Sequence, residues 1–344
     1  MKKIIVSSNE AGQRMDKLLA KYLSEAPKSF FYKMLRKKNI TLNGKKAQGN
    51  EKLETGDEIV FFLSDETYQK FAGKPDSSMQ LLKHAAHLPK SVPVLYEDEH
   101  LLFLNKPVGM LSQKSKPDDF SLNEYVITYL LQNGTLTEEE LTSFRPSICN
   151  RLDRNTSGIV AAGKTLKGLQ QLSEMFRSRT MEKYYLTIVS GQVTEPTYIH
   201  GYLKKNEKTN KVMVKKTPFE DAMEIETAYR PLAHTANYTL LEVHLITGRT
   251  HQIRAHLASA GHPIIGDTKY GNQEMNIQLK KKYHLTAQLL HAWRMHFPDT
   301  KETVYTEDAL SGLNGKTIYA PIPEKFKKII KGEGIRWEHG TQEG

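Results

Sequence analysis

Asp153 is the carboxylate of this chain set most suggestively for chemistry. It lies in Arg151-Leu152-Asp153-Arg154-Asn155-Thr156-Ser157-Gly158, between two arginines, where a polar turn opens into the apolar run Ile159-Val160-Ala161-Ala162. An acid among cations can serve as a base or a nucleophile. It can also do no more than cap its own turn through backbone N–H groups. The overlapping run 158–165 fits the phosphate-loop pattern G-x-x-x-x-G-K-[ST]. Such a loop needs flexible residues whose N–H groups wrap a phosphate, and Ile159, Val160, Ala161 and Ala162 read as a strand instead. There is no G-x-S-x-G, H-E-x-x-H, C-x-x-C or calcium-loop pattern. The 13 histidines are scattered, and His251 and His256 are spaced so that they do not share a helix face for a metal. The single cysteine, Cys149, excludes an intramolecular disulfide and a multi-cysteine zinc site.

The chain has 344 residues, enough for two domains with substantial cores. It is 38% apolar and 26% charged, so it is not disordered as a whole. No apolar run approaches the ~18 residues of a membrane span, and the opening MKKIIVSSNE is too short in apolar residues for a signal peptide. A reduced, cytoplasmic, soluble protein is expected. The net charge of +10 suggests an acidic partner such as nucleic acid.

That charge is concentrated. Residues 1–70 carry 14 basic and 9 acidic side chains, half of the whole excess. Residues 28–46 hold Lys28, Lys33, Arg36, Lys37, Lys38, Lys45 and Lys46 with no acid. Met15, Leu18, Leu19 and Tyr22 follow helical spacing, and Pro27 ends that helix. Ser29 is placed to cap a second helix over 30–37, and Asn43-Gly44 to turn a hairpin over 40–46. A strand follows over 58–63. Gly73, Pro75, Asp76, Ser77 and Ser78 mark a linker over 68–90, with a short helix near 79–87. Beyond it, a hairpin is expected from 94–96 and 101–104, and strands at 159–162, 184–189 and 238–246. The last is expected to be half-buried, with Leu240 alternating with Glu242 and His244. Thr165 can cap a helix burying Leu169, Leu172, Met175 and Phe176, and Thr250 one over 251–260 that Gly261 and Pro263 stop. Lys204, Lys205, Lys208, Lys211, Lys215 and Lys216 form a second basic stretch, read as a hairpin or loop. Strands and helices exchange irregularly, which favours α+β.

The N-terminal pattern resembles the S4 RNA-binding domain in Arg14-Met15-Asp16-Lys17-Leu18-Leu19, Leu42-Asn43-Gly44-Lys45 and Leu53-Glu54-Thr55-Gly56-Asp57-Glu58-Ile59. The larger part resembles the RluA-type family of RNA pseudouridine synthases. The resemblance rests on Glu97-Asp98-Glu99, Asn105-Lys106-Pro107-Val108-Gly109-Met110 and the Arg151–Gly158 run. It continues through Lys183-Tyr184-Tyr185-Leu186-Thr187-Ile188-Val189-Ser190-Gly191, and through Thr247-Gly248-Arg249-Thr250-His251-Gln252-Ile253-Arg254-Ala255-His256-Leu257 with Gly261-His262-Pro263-Ile264-Ile265-Gly266-Asp267. Leu289-Leu290-His291-Ala292 comes last. Asn150 stands where the family usually has His, and Asn155 where it usually has Asp.

The resemblance implies a catalytic domain over 91–331 with a mixed, largely antiparallel sheet and an S4-like domain over 1–67; the polar composition of 332–344 reads as a frayed tail. It implies isomerisation of uridine to pseudouridine in RNA, with Asp153 attacking the substrate or removing the 2′ proton of the ribose. Arg254 is the implied partner that favours the charged carboxylate. Tyr185 is the implied ring on the target base, with Tyr184 the alternative because neighbours in a strand face opposite ways. Leu290 is the apolar contact beneath the base, and Arg151, Arg249, His251 and Gln252 are substrate-binding candidates. Lys33, Arg36, Lys37, Lys38, Lys45, Lys46, Lys204 and Lys205 are RNA-binding candidates. No metal or organic cofactor is implied. Large-subunit ribosomal RNA is the expected partner, transfer RNA the other candidate, and a monomer is expected. Two rival readings stand beside this one: a non-catalytic RNA-binding or ribosome-assembly protein, and a nucleotide hydrolase resting on 158–165.

Overall fold

A computed structural model describes residues 1–7, 9–72, 92–116, 118–138, 140–299 and 309–337. Most of the expected linker, its helix near 79–87, and residues 338–344 of the expected tail lie outside these residues. The contacts divide the chain into two compact units. One comprises Met1–Lys90, Asn123–Ser147 and Gly163–Gln170; the other comprises Ser91–Leu122, Ile148–Ala162 and Gln171–Gly344.

In the first unit, β1 (Lys2–Ile5), α1 (Met15–Tyr22), α2 (Lys28–Arg36), β2 (Ile40–Leu42), β3 (Lys45–Lys46), β4 (Glu58–Phe61) and α3 (Asp65–Phe71) surround one core. Met15, Leu18 and Leu19 of α1 and Phe31 and Leu35 of α2 pack with Ile40, Ile59 and Phe61 of the sheet. The strands run β1-β4-β2-β3, all antiparallel. Asn43 and Gly44 both take positive φ, 48° and 70°, and close the β2–β3 hairpin as expected. Two expectations are corrected. The second helix begins at Lys28 with Pro27 at its N-cap, so Ser29 lies inside the first turn and caps nothing. And the chain does not lose its pattern at Tyr68. Ser64 caps α3 by accepting the Thr67 N–H, Tyr68 meets Phe61 edge-on at 5.5 Å, and Phe71 lies 4.4 Å from Phe30. Three contacts in a polar stretch leave too weak a periodicity to read from sequence. Helices α4 (Leu122–Gln132) and α5 (Glu140–Ser143) follow further along the chain.

The second unit is built on an eleven-stranded sheet. Its strands are β5 (Val94–Glu97), β6 (Leu101–Lys106), β7 (Ser147–Ile148), β8 (Ser157–Gly163), β9 (Glu182–Ser190), β10 (Thr197–Asn206), β11 (Lys211–Lys215), β12 (Met223–His234), β13 (Tyr238–Leu245), β14 (Leu290–His296) and β15 (Thr317–Tyr319). Helix α6 (Leu166–Ser178) follows β8, α7 (Gln252–Ser259) follows β13, α8 (Gln273–Tyr283) precedes β14, and α9 (Glu324–Gly332) closes the unit. The order is β11-β10-β12-β13-β9-β14-β8-β6-β5, with β15 beside β14 and β7 beside β8. Pairing is mostly antiparallel, with β8 parallel to β14, so the architecture is the expected α+β with a mixed sheet.

Strand β13 departs from the half-buried expectation, because both of its faces are covered. Tyr238 and Leu240 join Leu186 and Ile188 against Leu279 of α8 and Phe326 and Ile329 of α9. Glu242 is buried too, and is held by Arg230 at 2.7 Å and Arg294 at 3.0 Å. A buried carboxylate reads as surface polarity in a sequence because its two cations come from other strands. The expected tail is also partly packed. Ile335 is buried, and Trp337 meets Trp293 at 6.3 Å.

Gly158 fixes how β8 meets β14. Its φ is +113°, and a Cβ there would lie 2.2 Å from the Ala292 carbonyl oxygen. Beside it, the Ser157 hydroxyl and His291 Nδ1 are 2.9 Å apart. The start of β8 is thereby zipped to the start of β14, bringing the loop that carries Asp153 close to Leu290. The same geometry disposes of the phosphate-loop reading, because residues 157–163 are strand and buried throughout. Gly158→Ala combines a backbone clash with a disfavoured φ. It should cost about 2–3 kcal/mol, read as a lower urea midpoint at unchanged slope.

Candidate active site

The loop bearing Asp153 is held at its backbone by groups from two other segments. Asn150 accepts the Ala161 N–H at 2.8 Å and donates to the Ile159 carbonyl at 3.2 Å, so it pairs with β8 as a strand residue would. The Ser112 hydroxyl donates to the Leu152 carbonyl at 2.8 Å and accepts its N–H at 3.0 Å. The Lys106 ammonium is fully buried. It donates to the carbonyls of Pro107, Met110 and Arg154 at 3.1, 2.8 and 3.1 Å. Burial pushes its pKa down to about 7, with Asp153 acting in the opposite direction. Gly109 adds an N–H to the Arg154 carbonyl at 2.9 Å. Both neighbours of Asp153 are therefore pinned, which fixes where its side chain leaves the loop.

That side chain meets Arg254. The guanidinium Nη1 donates to Asp153 Oδ2 at 2.7 Å, while Nε and Nη2 donate to the two oxygens of Asp267 at 2.7 and 2.9 Å. Arg254 is thus an ion-paired residue with 5% exposure rather than a solvated residue of its helix. Burial works against its charge, but Asp267 and Asp153 outweigh burial and hold its pKa above the ordinary value. Asp267, wholly buried, also accepts the N–H groups of Lys269 and Tyr270. Burial opposes its ionisation, and Arg254 with the two amides more than compensates, so its pKa lies below 3.8. Asp153 is left with one oxygen bound. Among the described residues Oδ1 has no partner, and the side chain is 25% exposed.

The carboxylate faces a cleft lined by Arg151, Thr156, Tyr185, Leu245, Arg249, His251, Ile253 and Leu290, with about 440 Å³ of empty space. Tyr185, not Tyr184, is the residue on the cleft side. Tyr184 faces the other way, stacked on His244 at 4.7 Å with the Arg294 guanidinium 3.5 Å from its ring. Burial pushes the Tyr185 hydroxyl pKa well up, and Asp153 adds to the shift, so the group rests as a neutral phenol. Leu290 is buried beside it in the cleft wall.

The remaining candidates divide. Arg151 and Arg249 are exposed at the mouth. His251 lines the wall, with Nε2 3.8 Å from Asp153 Oδ2. It is also the N-cap of α7, with φ +55°, and the expected cap Thr250 makes no capping bond. Gln252 also lies in the cleft lining, but its amide is engaged by its own chain. Its amide oxygen accepts from the Thr247 hydroxyl and the Arg249 N–H, and its nitrogen donates to the Glu226 carbonyl and the Thr227 hydroxyl. An amide with every bond filled by its own chain ties α7 to β12 and has nothing left for a substrate. Lys204 and Lys205 lie on the β10–β11 hairpin, paired with Asp221 at 3.2 Å and Glu207 at 2.7 Å. Lys33, Arg36, Lys37, Lys38, Lys45 and Lys46 belong to the other unit. They are exposed and, among the described residues, pair with no carboxylate. Sequence reasoning gave no role to Ser112 or Tyr270, and used Lys106 and Asp267 only as members of motifs. A buried lysine announces itself weakly, and only through the tight turn Asn105-Lys106-Pro107-Val108-Gly109.

Breaking the Arg254–Asp267 pair leaves an uncompensated buried charge, which costs about 3–5 kcal/mol. Asp267→Asn should lower the unfolding free energy by that order and reduce activity as Arg254 loses its aim at Asp153. Because the Asp267 pKa is depressed, its stabilisation is complete above about pH 4 and is lost as the pH falls through its folded pKa. The variant should therefore lose the steepest part of the acid-unfolding curve, followed by far-UV circular dichroism.

The family model for RNA pseudouridylate synthase matches residues 100–259, which include Asp153, Tyr185 and Arg254. The chain is 32% identical over 341 residues to the ribosomal large subunit pseudouridine synthase C of Pasteurella multocida, covering 96% of this chain and 93% of that protein. It is 31% identical over 349 residues to the protein of the same name in Escherichia coli, covering 96% of each. Among solved structures, human RNA pseudouridylate synthase domain containing 4 superposes with a TM-score of 0.58 at 20% identity, over 76% of this chain and 100% of that one, a likeness of fold. With relatives at that identity along almost its whole length, the chain belongs to the family of RNA pseudouridine synthases.

Proposed function

We propose that this chain converts uridines of large-subunit ribosomal RNA to pseudouridine, with Asp153 as the essential group and no cofactor. The observation that carries the reading is the half-bound carboxylate: Arg254 holds Oδ2 of Asp153 and leaves Oδ1 free at the cleft. Ribosomal RNA is favoured by the relatives from Pasteurella multocida and Escherichia coli, both ribosomal large subunit pseudouridine synthases.

The reaction breaks the glycosidic N–C bond, turns the base and forms a C–C bond. Oδ1 is the atom that attacks the sugar or takes its 2′ proton, and either role needs an oxygen not committed to the protein. The uracil lies between the Tyr185 ring and the Leu290 side chain, which exclude water while the base is detached. As a neutral phenol, Tyr185 is suited to donating a hydrogen bond to the base rather than to removing a proton. The target uridine must leave its stack, which costs about a few kcal/mol. Exposed cations offset that cost by binding phosphates. Those of α2 and the β2–β3 hairpin are the better suited, since Lys204 and Lys205 already face carboxylates. Residues 1–67 act as the S4-like RNA-gripping domain, and the protein works as a cytoplasmic monomer.

The rival of a non-catalytic RNA binder rested on Asn150 and Asn155. Asn150 is engaged with β8, and neither asparagine lines the cleft. Asp153→Asn should abolish pseudouridine formation on ribosomal RNA fragments, with the RNA dissociation constant within about twofold of wild type. Residual turnover in a clean preparation would refute the role of Asp153. Replacing Lys33, Arg36, Lys37 and Lys38 together by Gln should weaken binding and flatten the dependence of log Kd on log salt by up to about 0.9 per lost phosphate contact. An unchanged slope would remove these residues from the interface.

A further inference from the structure

Tyr270 adds polar bonds where the helix that His251 starts already shares a buried apolar cluster with β11 through Ala255 and Val212. Its hydroxyl accepts the Val212 N–H of β11 at 2.8 Å and lies 3.0 Å from His251 Nδ1. Three residues earlier in the same loop, Asp267 aims Arg254; one residue earlier, Lys269 donates to the Asn210 carbonyl in the β10–β11 turn at 2.8 Å. A phenol has one proton. With an N–H already donated to its oxygen, every bond is used when that proton goes to His251 Nδ1. His251 then carries its own proton on Nε2. That nitrogen is 3.8 Å from Asp153 Oδ2, too far for a hydrogen bond, and Oδ2 is already taken by Arg254. The Nε2–H therefore has no acceptor in the described protein and lies in the cleft wall.

We infer that Tyr270 is a positioning residue that fixes His251 as the Nε2–H tautomer, so that His251 donates a hydrogen bond to an oxygen of the nucleotide held beside Asp153. The nucleotide part of this inference rests on the proposed function; the tautomer does not. Protonation states agree with the geometry. Burial lowers the His251 pKa, with Arg254 and Lys269 adding to the effect and Asp153 and Asp267 opposing it, so the ring is neutral at neutral pH. Burial likewise raises the Tyr270 pKa and keeps the phenol protonated. His251 holds φ +55°, a left-handed conformation that histidine adopts more readily than most non-glycine residues.

The full chain labelled with 15N at its histidine rings tests the tautomer directly. At pH 7.5, His251, assigned by its loss in His251→Gln, should show a protonated Nε2 and a bare Nδ1. Tyr270→Phe keeps the ring and removes the hydroxyl, and should abolish that preference. A protonated Nδ1 in the wild type, or an unchanged tautomer in Tyr270→Phe, would overturn the inference whether or not the protein is active on RNA. Uridine-containing RNA bound to the Asp153→Asn variant should shift the His251 Nε2 resonance, and no shift would refute the contact with the nucleotide. Two substitutions separate donor from backbone. Gln places an N–H near the position of Nε2, whereas Asn places one near Nδ1 but tolerates positive φ better. A donor role predicts that His251→Gln keeps single-turnover pseudouridine formation within about tenfold while His251→Asn loses at least a further tenfold, one hydrogen bond's worth. A purely structural role predicts the reverse order, in melting temperature and rate alike.

Discussion

One guanidinium organises the catalytic unit. Arg254 divides its donors between two carboxylates, and the division is unequal. Asp267 receives two of its N–H groups and two backbone amides and has no exposure at all. Asp153 receives one N–H and keeps an oxygen at a cleft. Burying two negative charges against a single positive one is unfavourable unless further donors compensate. Here the compensation goes almost wholly to Asp267. The pair Arg254–Asp267 is in effect a rigid cation with one donor left over, and that donor is what Asp153 meets. A buried amine, Lys106, is close enough to act on the same carboxylate, yet among the described residues it donates only to carbonyls. It contributes field and loop geometry without occupying the unbound oxygen of Asp153.

The sheet makes that arrangement possible by fixing which side chains reach the cleft. β9 lies between β13 and β14 and is paired along most of its length on both sides. A slip of one residue would exchange Tyr185 for Tyr184. It would move Tyr185 to the face where Glu242, Arg294 and His244 make a polar cluster, and would bring Tyr184, shaped to lie against a guanidinium, into the cleft. The buried Glu242, clamped by Arg230 and Arg294, therefore opposes a register error as well as filling the back face. Gly158 has the corresponding role on the other flank, where a side chain would force β14 and Leu290 away from the Asp153 loop.

Much of this was legible in the sequence, in a particular way. The strands and the nearby turns have local causes, and the Asn43-Gly44 hairpin, the strand after Gly158 and the helix buried through Leu172 and Met175 were all readable from spacing. Asp153, Tyr185, Arg254 and Leu290 were named through family motifs, and the structure gathers all four at one cleft. What stayed hidden is long-range. Glu242 looks like an exposed strand residue until Arg230 and Arg294 arrive from β12 and β14. Gln252 looks like a free amide in a motif until β12 fills it. Thr250 has the right chemistry for a cap, but a left-handed His251 starts the helix instead, a conformation uncommon outside glycine. Periodicity reports which face is apolar; it carries no record of which polar group will meet which.

The departure at Asn150 follows from the same distinction. Where the family pattern usually has His, Asn150 offers an N–H and a C=O on one planar fork, and it uses both against alternate residues of β8, Ile159 and Ala161. That is the bonding of an added strand residue, directed along the sheet rather than into the cleft. The loop it starts is then held again at Leu152 by Ser112 and at Arg154 by Lys106. Three separate anchors within five residues leave Asp153 little freedom whatever the side chain at 150. The placing of Oδ1 at the cleft depends on the position of the Asp153 backbone and on Arg254. A substitution that preserves the pairing to β8 therefore changes neither requirement.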